Sequence, residues 1–374
     1  MKAQEKFQEI VKNHHHYAKE WKKRTNGKVV ASFSGYDPEE MIYAAGALPV
    51  HVLGDHEYDF IVSEHVYTWN CGPSRDVLAQ ALRGQYDYVD GIVMAHDCMH
   101  MRQTFDSWEK HVPQSFSYDI YIPRNVKSKF AVAVFAKELL EFKTSFEKWT
   151  GIPITDDRLS EAIHIYNENR SLMRKIYELR KNDQPPITGT EAMEMVLASM
   201  IMDKREHNDL LKQMLKELEG QKSAFNPGIR LILIGSCIDN LELVRFLESF
   251  GATVVIDELC TGSRYFWNDV EERSDLIEAI AERYVHKPRH PEKDIVERMR
   301  PHHVAKLATD YKAQAAIIVL HKYCDRLEWE LPQLQAALKE KNIPSIILED
   351  DITIPKGQWQ TRAEALFEMV NQSL

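Results

Sequence analysis

Twice along this chain, short apolar runs with no polar face alternate with stretches patterned as helices. In the first half the runs are residues 28–33, 48–53, 88–95 and 115–122; in the second they are 229–235, 253–256, 315–320 and 345–348. A strand that is apolar on both faces has to be covered on both faces, and the elements that follow each run are helical: 74–82 and 99–111, then 241–250, 275–284, 328–341 and 361–372. That combination predicts parallel sheets sandwiched by helices. Between the halves, from residue 127 to about 221, three long helical stretches are divided by Gly151-Ile152-Pro153 and by Asn182-Asp183-Gln184-Pro185-Pro186. The expected architecture is α/β. Two doubly wound, flavodoxin- or Rossmann-like parallel-sheet domains (1–126 and 227–374) are joined by a helical connector (127–226), with a site in the cleft between them.

Local signals fill in the ends. Residues 3–24 read as one surface helix, on which His14-His15-His16 form a solvated face. Asp37-Pro38-Glu39-Glu40 reads as a helix start, with Asp37 capping, Pro38 in the first turn and the acids favoured by the helix dipole.

Charge and cysteine usage exclude several function classes. The formal net charge of -10 argues against a nucleic-acid binder, which needs a basic face. No apolar run approaches the roughly 20 residues of a membrane helix. Met1-Lys2-Ala3-Gln4-Glu5-Lys6 lacks the apolar core of a secretion signal. Five cysteines, odd in number and widely spaced, do not make a disulfide framework, so a reducing cytoplasm is the expected compartment.

Three of those cysteines share a context. Cys71 opens Cys71-Gly72-Pro73-Ser74-Arg75, Cys98 sits in His96-Asp97-Cys98-Met99-His100, and Cys324 in His321-Lys322-Tyr323-Cys324-Asp325. Each precedes a predicted helix, and the last two follow predicted strands. Strand carboxyl ends and helix amino ends face the ligand crevice of an open α/β sheet. A helix amino end also favours negative charge and lowers a thiol's pKa. Three thiolates gathered there would hold an iron–sulfur cluster and leave one iron free. Cys71 and Cys98 come from one half and Cys324 from the other, so the site would bridge the cleft. Against this, no C-x-x-C pair announces a metal, and a free cysteine is also a common buried small hydrophobe. A zinc site at the same three thiols is the alternative metal. Cys237 and Cys260 also follow strands; each is a fourth ligand, a pocket residue or a structural thiol, the last two preferred.

Other residues near the thiols carry weaker signals. His96, Asp97, His100, Glu64, His65 and Asp325 are proton donors for a reduced substrate or ordinary surface and capping residues. Tyr67, Trp69, Tyr323 and Trp329 either wall off water or pack in the interior. Gly235-Ser236 and Gly262-Ser263-Arg264 are phosphate-binding turns or simple chain reversals. There is no Gly-x-x-x-x-Gly-Lys-Ser/Thr loop and no Gly-x-Gly-x-x-Gly, which argues against direct ATP hydrolysis or dinucleotide binding.

Taken in order, several segments carry a family likeness: residues 37–49, Cys71-Gly72-Pro73-Ser74-Arg75, Asp97-Cys98, residues 256–264, Lys322-Tyr323-Cys324-Asp325, Asn342-Ile343-Pro344, Glu349-Asp350-Asp351 and Thr361-Arg362-Ala363-Glu364-Ala365. Nearly end to end, the chain resembles the 2-hydroxyacyl-CoA dehydratase and benzoyl-CoA reductase family. Within it, the closest likeness is to the C (gamma) subunit of the ATP-dependent reductase. The resemblance implies a two-domain α/β subunit that carries a [4Fe-4S] cluster on Cys71, Cys98 and Cys324. It implies a homologous cluster-bearing partner subunit and a separate ATP-hydrolysing activator fed by ferredoxin. It also implies reduction of the aromatic ring of benzoyl-CoA to a cyclic dienoyl-CoA in anaerobic aromatic degradation, with His96, His100 and Glu64 as candidate proton donors. The alternatives are a radical 2-hydroxyacyl-CoA dehydratase subunit and a non-catalytic electron-relay or structural subunit.

Overall fold

The strands are short, buried and all parallel. β1 (Val29–Ser32), β2 (Leu48–His51), β3 (Gly91–Ala95) and β4 (Phe116–Ile120) pair in the order β2-β1-β3-β4. β5 (Ile229–Ile234), β6 (Ala252–Glu258), β7 (Ala315–His321) and β8 (Ser345–Asp350) repeat that order as β6-β5-β7-β8. The protein is therefore an α/β fold of two doubly wound lobes, described by a computed structural model for residues 1–220, 225–288, 291 and 298–373. In each lobe the winding reverses beside the first strand, between β1 and β3 and between β5 and β7, and a crevice opens outside their carboxyl ends.

Helices cover both sheets. α1 (Lys2–Lys12), α2 (His14–Thr25), α3 (Glu39–Ala44), α4 (Gly72–Leu82), α5 (Met99–His111) and α6 (Ala131–Thr150) are followed by α7 (Asp156–Leu179), α8 (Gly189–Ser199) and α9 (Lys204–Leu218). The second half adds α10 (Leu241–Glu248), α11 (Ser263–Phe266), α12 (Leu276–His286), α13 (Arg300–Asp310), α14 (Asp325–Glu328), α15 (Leu331–Glu340) and α16 (Lys356–Ser373). Among the described residues no helix is long and apolar enough to cross a membrane.

The lobes exchange helices. Ala3, Phe7 and Ile10 of α1 are buried in the second lobe's core with Val196 and Ile232. Ile280, Tyr284 and Val285 of α12 are buried in the first lobe's core with Val30, Met41 and Phe135. Each fully buried side chain of this size contributes on the order of 2 kcal/mol, so separating the lobes would expose apolar surface at both exchanges.

Four sequence expectations change. The amino-terminal helix is two helices broken at Asn13. His14 and His15 are not solvated: burial lowers the pKa of both, and His15 bonds the Tyr88 hydroxyl at 3.1 Å and Gln80 at 3.2 Å. The middle region holds four helices, not three, because the chain turns again at residues 200–203. Asp37 does not cap α3. Its carboxylate instead accepts from the Ser32 hydroxyl, from Ser34 N–H at 2.9 Å and from Ala95 N–H, tying the ends of β1 and β3 together.

Glu39 and Glu40 open α3, but they serve the seam and not only its dipole. Glu40 forms a buried ion pair with Arg170 of α7 and accepts from the Tyr284 hydroxyl of α12 at 2.9 Å. Glu39 accepts from the Tyr265 hydroxyl at 2.7 Å and lies 3.7 Å from the Lys204 ammonium. Burial pushes the Glu40 carboxyl up, but the Arg170 and Arg283 guanidinium groups overcome it and hold it at about 2, against 4.5 for a free carboxyl. A depressed carboxylate stabilises the fold fully above its unfolded value and loses that contribution as pH falls through its folded one. We therefore expect seam stability to decline from about pH 4.5 toward 2, and Arg170→Ala, which strands a buried carboxylate, to cost about 3–5 kcal/mol in denaturant unfolding. Unfolding midpoints unchanged by Arg170→Ala would show that this pair does not hold the seam.

Candidate functional site

Cys71, Cys98 and Cys324 each occupy the cap position immediately before a helix, α4, α5 and α14 respectively. All three are buried. Their loops come from different strands and different lobes, yet the thiols are close enough to sense one another: Cys324 raises the pKa of Cys71, and Cys71 that of Cys98. Local bonds fix each loop. Cys71 N–H donates to His100 Nδ1 at 3.2 Å, and the Ser74 hydroxyl donates to the Cys71 carbonyl at 2.8 Å. The Cys324 sulfur lies 3.2 Å from the Ser236 hydroxyl. Tyr323, just before it, has φ 65, a left-handed backbone that a tyrosine adopts only when its surroundings hold it there.

The two crevices close against each other. Arg326 Nη1, from α14, reaches the Asp97 carbonyl at 3.3 Å, one residue from Cys98. Arg75 pairs with Asp351, and Gly54 N–H donates to Asp239 at 2.7 Å. Gly72 presses on the opposite lobe so tightly that a Cβ there would lie 2.8 Å from the Asp351 backbone. Only glycine fits this approach, which explains the residue type directly after Cys71.

Positive charge collects around the sulfurs although the chain is acidic overall. Burial opposes the Arg326 charge, but Cys98, Cys324 and Asp97 outweigh it. His321 bonds Asp350 through Nδ1 at 2.7 Å and the Cys237 carbonyl through Nε2 at 2.9 Å. Both partners are acceptors, so both ring nitrogens carry protons. Burial pulls this imidazolium down, but the Asp350 carboxylate lifts it to about 9. Lys287, whose ammonium donates to the Gly35 carbonyl at 2.6 Å, is brought down by burial to about 7.

The expectation of lowered thiol pKa values fails for Cys71 and Cys98. Burial pushes both up, because closed lobes remove the water that would solvate a thiolate, and the helix starts do not compensate. The thiol that is lowered is Cys260, to about 6, first by a hydrogen bond from Cys237 and then, against burial, by Arg264.

The proposed proton donors separate. His100 touches the Cys71 backbone, and burial lowers its pKa, so the ring is neutral with its proton on Nε2. His96, between β3 and Cys98, has an Nε2 buried without a partner. Glu64 is exposed, lining a groove of about 480 Å³ with His65, Gln103, Lys110 and His111 along the flank of α5, not at the amino end that carries Cys98. Asp325 is also exposed. The aromatics beside the thiols neither pack in the interior nor enclose the site: Tyr67, Trp69, Tyr323 and Trp329 are exposed, the first two stacked at 4.5 Å. The Gly262 turn is not a phosphate cradle. The space a side chain would take is filled by the Asp257 carboxylate, which already accepts from Ser263 N–H at 2.6 Å.

Arg326, His321, Ser236 and Arg264 carried no sequence signal of their own. The one available clue was position, since each stands within four residues of a cysteine that follows a strand.

The family described as "2-hydroxyglutaryl-CoA dehydratase, D-component" matches residues 35–370. The chain belongs to this family. It is 26% identical to the (R)-phenyllactyl-CoA dehydratase beta subunit of Clostridium sporogenes, over 97% of each chain. It is 25% identical to the C (gamma) subunit of benzoyl-CoA reductase from Thauera aromatica, over 88% of this chain and 87% of that one. It is 26% identical to the beta subunit of (R)-2-hydroxyglutaryl-CoA dehydratase from Acidaminococcus fermentans, over 91% and 92%. Dehydratase and reductase subunits thus stand at the same distance from it, and identity alone does not separate the two reactions.

Lobe closure makes a direct prediction. In metal-free protein at pH 7, iodoacetamide should label Cys260 first and Cys98 among the last. Gly72→Ala, which cannot hold the contact with Asp351, should speed labelling of Cys71 several-fold. Equal labelling rates across the cysteines would contradict the burial that closure imposes.

Proposed function

We propose that this chain is the iron–sulfur subunit of a CoA-thioester enzyme, acting in the reduction of the benzoyl-CoA ring to a cyclic dienoyl-CoA. The observation that carries the cofactor reading is the convergence of three buried thiols, from three helix starts and both lobes, on one closed crevice. Thiolates are the soft donors that a [4Fe-4S] cluster takes, and three of them leave one iron for another ligand. Among the described residues no three His, Cys, Asp or Glu side chains stand close enough to hold a single metal ion. A four-iron cluster asks for a different spacing, because each thiolate serves its own iron. This also weighs against zinc at the same thiols.

When bound, such a cluster supplies single electrons at low potential. The chain's own groups have defined tasks around it. Arg326 and the His321 imidazolium offset the negative charge of thiolates that burial alone would keep protonated. The contacts of Gly72, Arg75 and Arg326 with the facing lobe exclude water. His100, with its proton on Nε2, and His96 are the placed proton sources; Glu64 is left without a role at the thiols.

The partners follow from the same reading: a homologous cluster-bearing subunit and a separate ATP-hydrolysing activator supplied by ferredoxin, in the reducing cytoplasm. Its supports are the absence of a phosphate loop, the naming of the relatives as subunits, and the exposed Tyr67, Trp69 and Trp329 around the thiol loops. Exposed aromatic surface of this kind marks a face that another chain covers.

A second reading, radical dehydration of a 2-hydroxyacyl-CoA, is favoured by the names of two of the three relatives given above. Product analysis divides them. The reductase consumes electrons in proportion to product, whereas the dehydratase needs them only in catalytic amount.

The cofactor is tested by anaerobic purification with the co-purifying partner, followed by iron and sulfide counts. Cys71→Ser, Cys98→Ser and Cys324→Ser should each abolish cluster retention in this chain, and Cys237→Ser should not. Full iron in any of the first three, or loss in the last, would show that the ligand set is wrong.

A further inference from the structure

Cys237 and Cys260 stand outside the trio, and the proposed function gives them no task. They lie on adjacent loops at the carboxyl ends of β5 and β6, which pair in parallel. Neighbouring strands run about 4.8 Å apart, within the Cα separation that a disulfide spans. The loops are pinned together. Gly235 N–H donates to the Glu258 carbonyl at 3.3 Å, and Cys260 N–H to the Ser236 carbonyl at 2.9 Å. A single guanidinium nitrogen, Arg264 Nη2, donates both to the Gly235 carbonyl at 2.9 Å and to the Cys260 sulfur at 3.2 Å. The two thiols also hydrogen-bond to each other.

This arrangement separates the pair from the trio in two ways. Cys237 and Cys260 are partly exposed while the other three cysteines are buried, so a small reagent reaches the pair first. Arg264 stabilises negative charge on one member of the pair, as a nucleophilic thiolate requires, while the second member waits beside it as a resolving thiol.

We propose that Cys260 and Cys237 form a redox-active dithiol at the mouth of the second lobe's crevice, which closes to an intramolecular disulfide by exchange with a low-molecular-weight disulfide. The Cys260 thiolate attacks one sulfur of the reagent, forming a mixed disulfide and releasing one thiolate. Cys237 then gives up its proton and attacks the Cys260 sulfur, and the second thiolate of the reagent leaves. In sum, two protein thiols are oxidised and one small disulfide is reduced to two thiols. The reaction needs no metal, so it stands apart from the cluster reading. Ser236, next to Cys237, bonds the Cys324 sulfur at 3.2 Å, so the bridge forms one residue from a contact of the trio.

The test uses the protein with its partner, isolated anaerobically and treated with oxidised glutathione, then alkylated, digested with trypsin and mapped by mass spectrometry. Cys237 and Cys260 fall in the adjoining tryptic segments 231–245 and 246–264. The expected result is these two segments joined, lighter by two hydrogens and separable by dithiothreitol, while the cysteines of the trio are not cross-linked. Cys237→Ser should lose the bridge and instead accumulate glutathione on Cys260. The proposal fails if the wild-type segments are recovered separately, either alkylated or with glutathione left on Cys260. It fails equally if Cys237→Ser leaves Cys260 unmodified, since Cys260 would then not be the attacking thiol. Because cluster content is counted separately, an empty trio with an intact bridge would sink the cofactor reading and leave this one standing.

Discussion

Burial of sulfur between two facing crevices is the constraint from which the site takes its character. A thiol enclosed by protein stays protonated unless positive charge comes close, and burial alone pushes Cys71 and Cys98 in that direction. The chain answers with cations from the second lobe. Arg326 reaches across to the carbonyl beside Cys98, and His321 is kept doubly protonated by Asp350. An acidic protein thus builds a locally basic pocket, and it does so only when the lobes are shut, since the Arg326 contact spans both.

Shutting is secured away from the site. The exchange of α1 and α12 between cores means that neither lobe's core is complete without a helix from the other half of the chain. Glu39 and Glu40 add a polar layer in which every charge finds a partner on another element. Such layers contribute little net energy but punish misalignment, because any shift strands a buried charge. The lobes are consequently held in one relative position, which sulfurs drawn from three separate loops require if they are to meet around one centre.

Much of this was legible in the chain. Strands apolar on both faces, each followed by a helix, dictate a parallel covered sheet, and the cysteines at strand ends and helix starts lie where that topology places a ligand. What escaped reading depends on partners far along the chain. Asp37 has the look of a helix cap, yet its carboxylate joins two strand ends, one of them 58 residues away at Ala95. Glu40 looks like a dipole acid, yet its charge is held by Arg170, 130 residues on. The thiol acidities came out reversed because helix position is a local property, whereas burial belongs to the closed pair of lobes. His14 and His15 sit on a helix with a polar sequence, and only the docking of α2 against the first sheet makes them interior.

The same distinction bears on substrate choice. The trio, its capping positions and the cations around it are matters of backbone topology and short-range charge, and they serve a one-electron cofactor whatever thioester is processed. Nothing in that machinery distinguishes an aromatic ring from a 2-hydroxyacyl chain. Discrimination has to come from groups that meet the acyl part, and the structure puts its uncommitted aromatic surface, Tyr67, Trp69 and Trp329, on the outside of the thiol loops. In the proposed assembly that surface is covered by the partner subunit. Substrate specificity would then be a property of the covered interface between two chains, and electron handling a property of this one. Relatives with different named reactions can therefore lie equally far from this sequence while one set of cysteine loops serves them all.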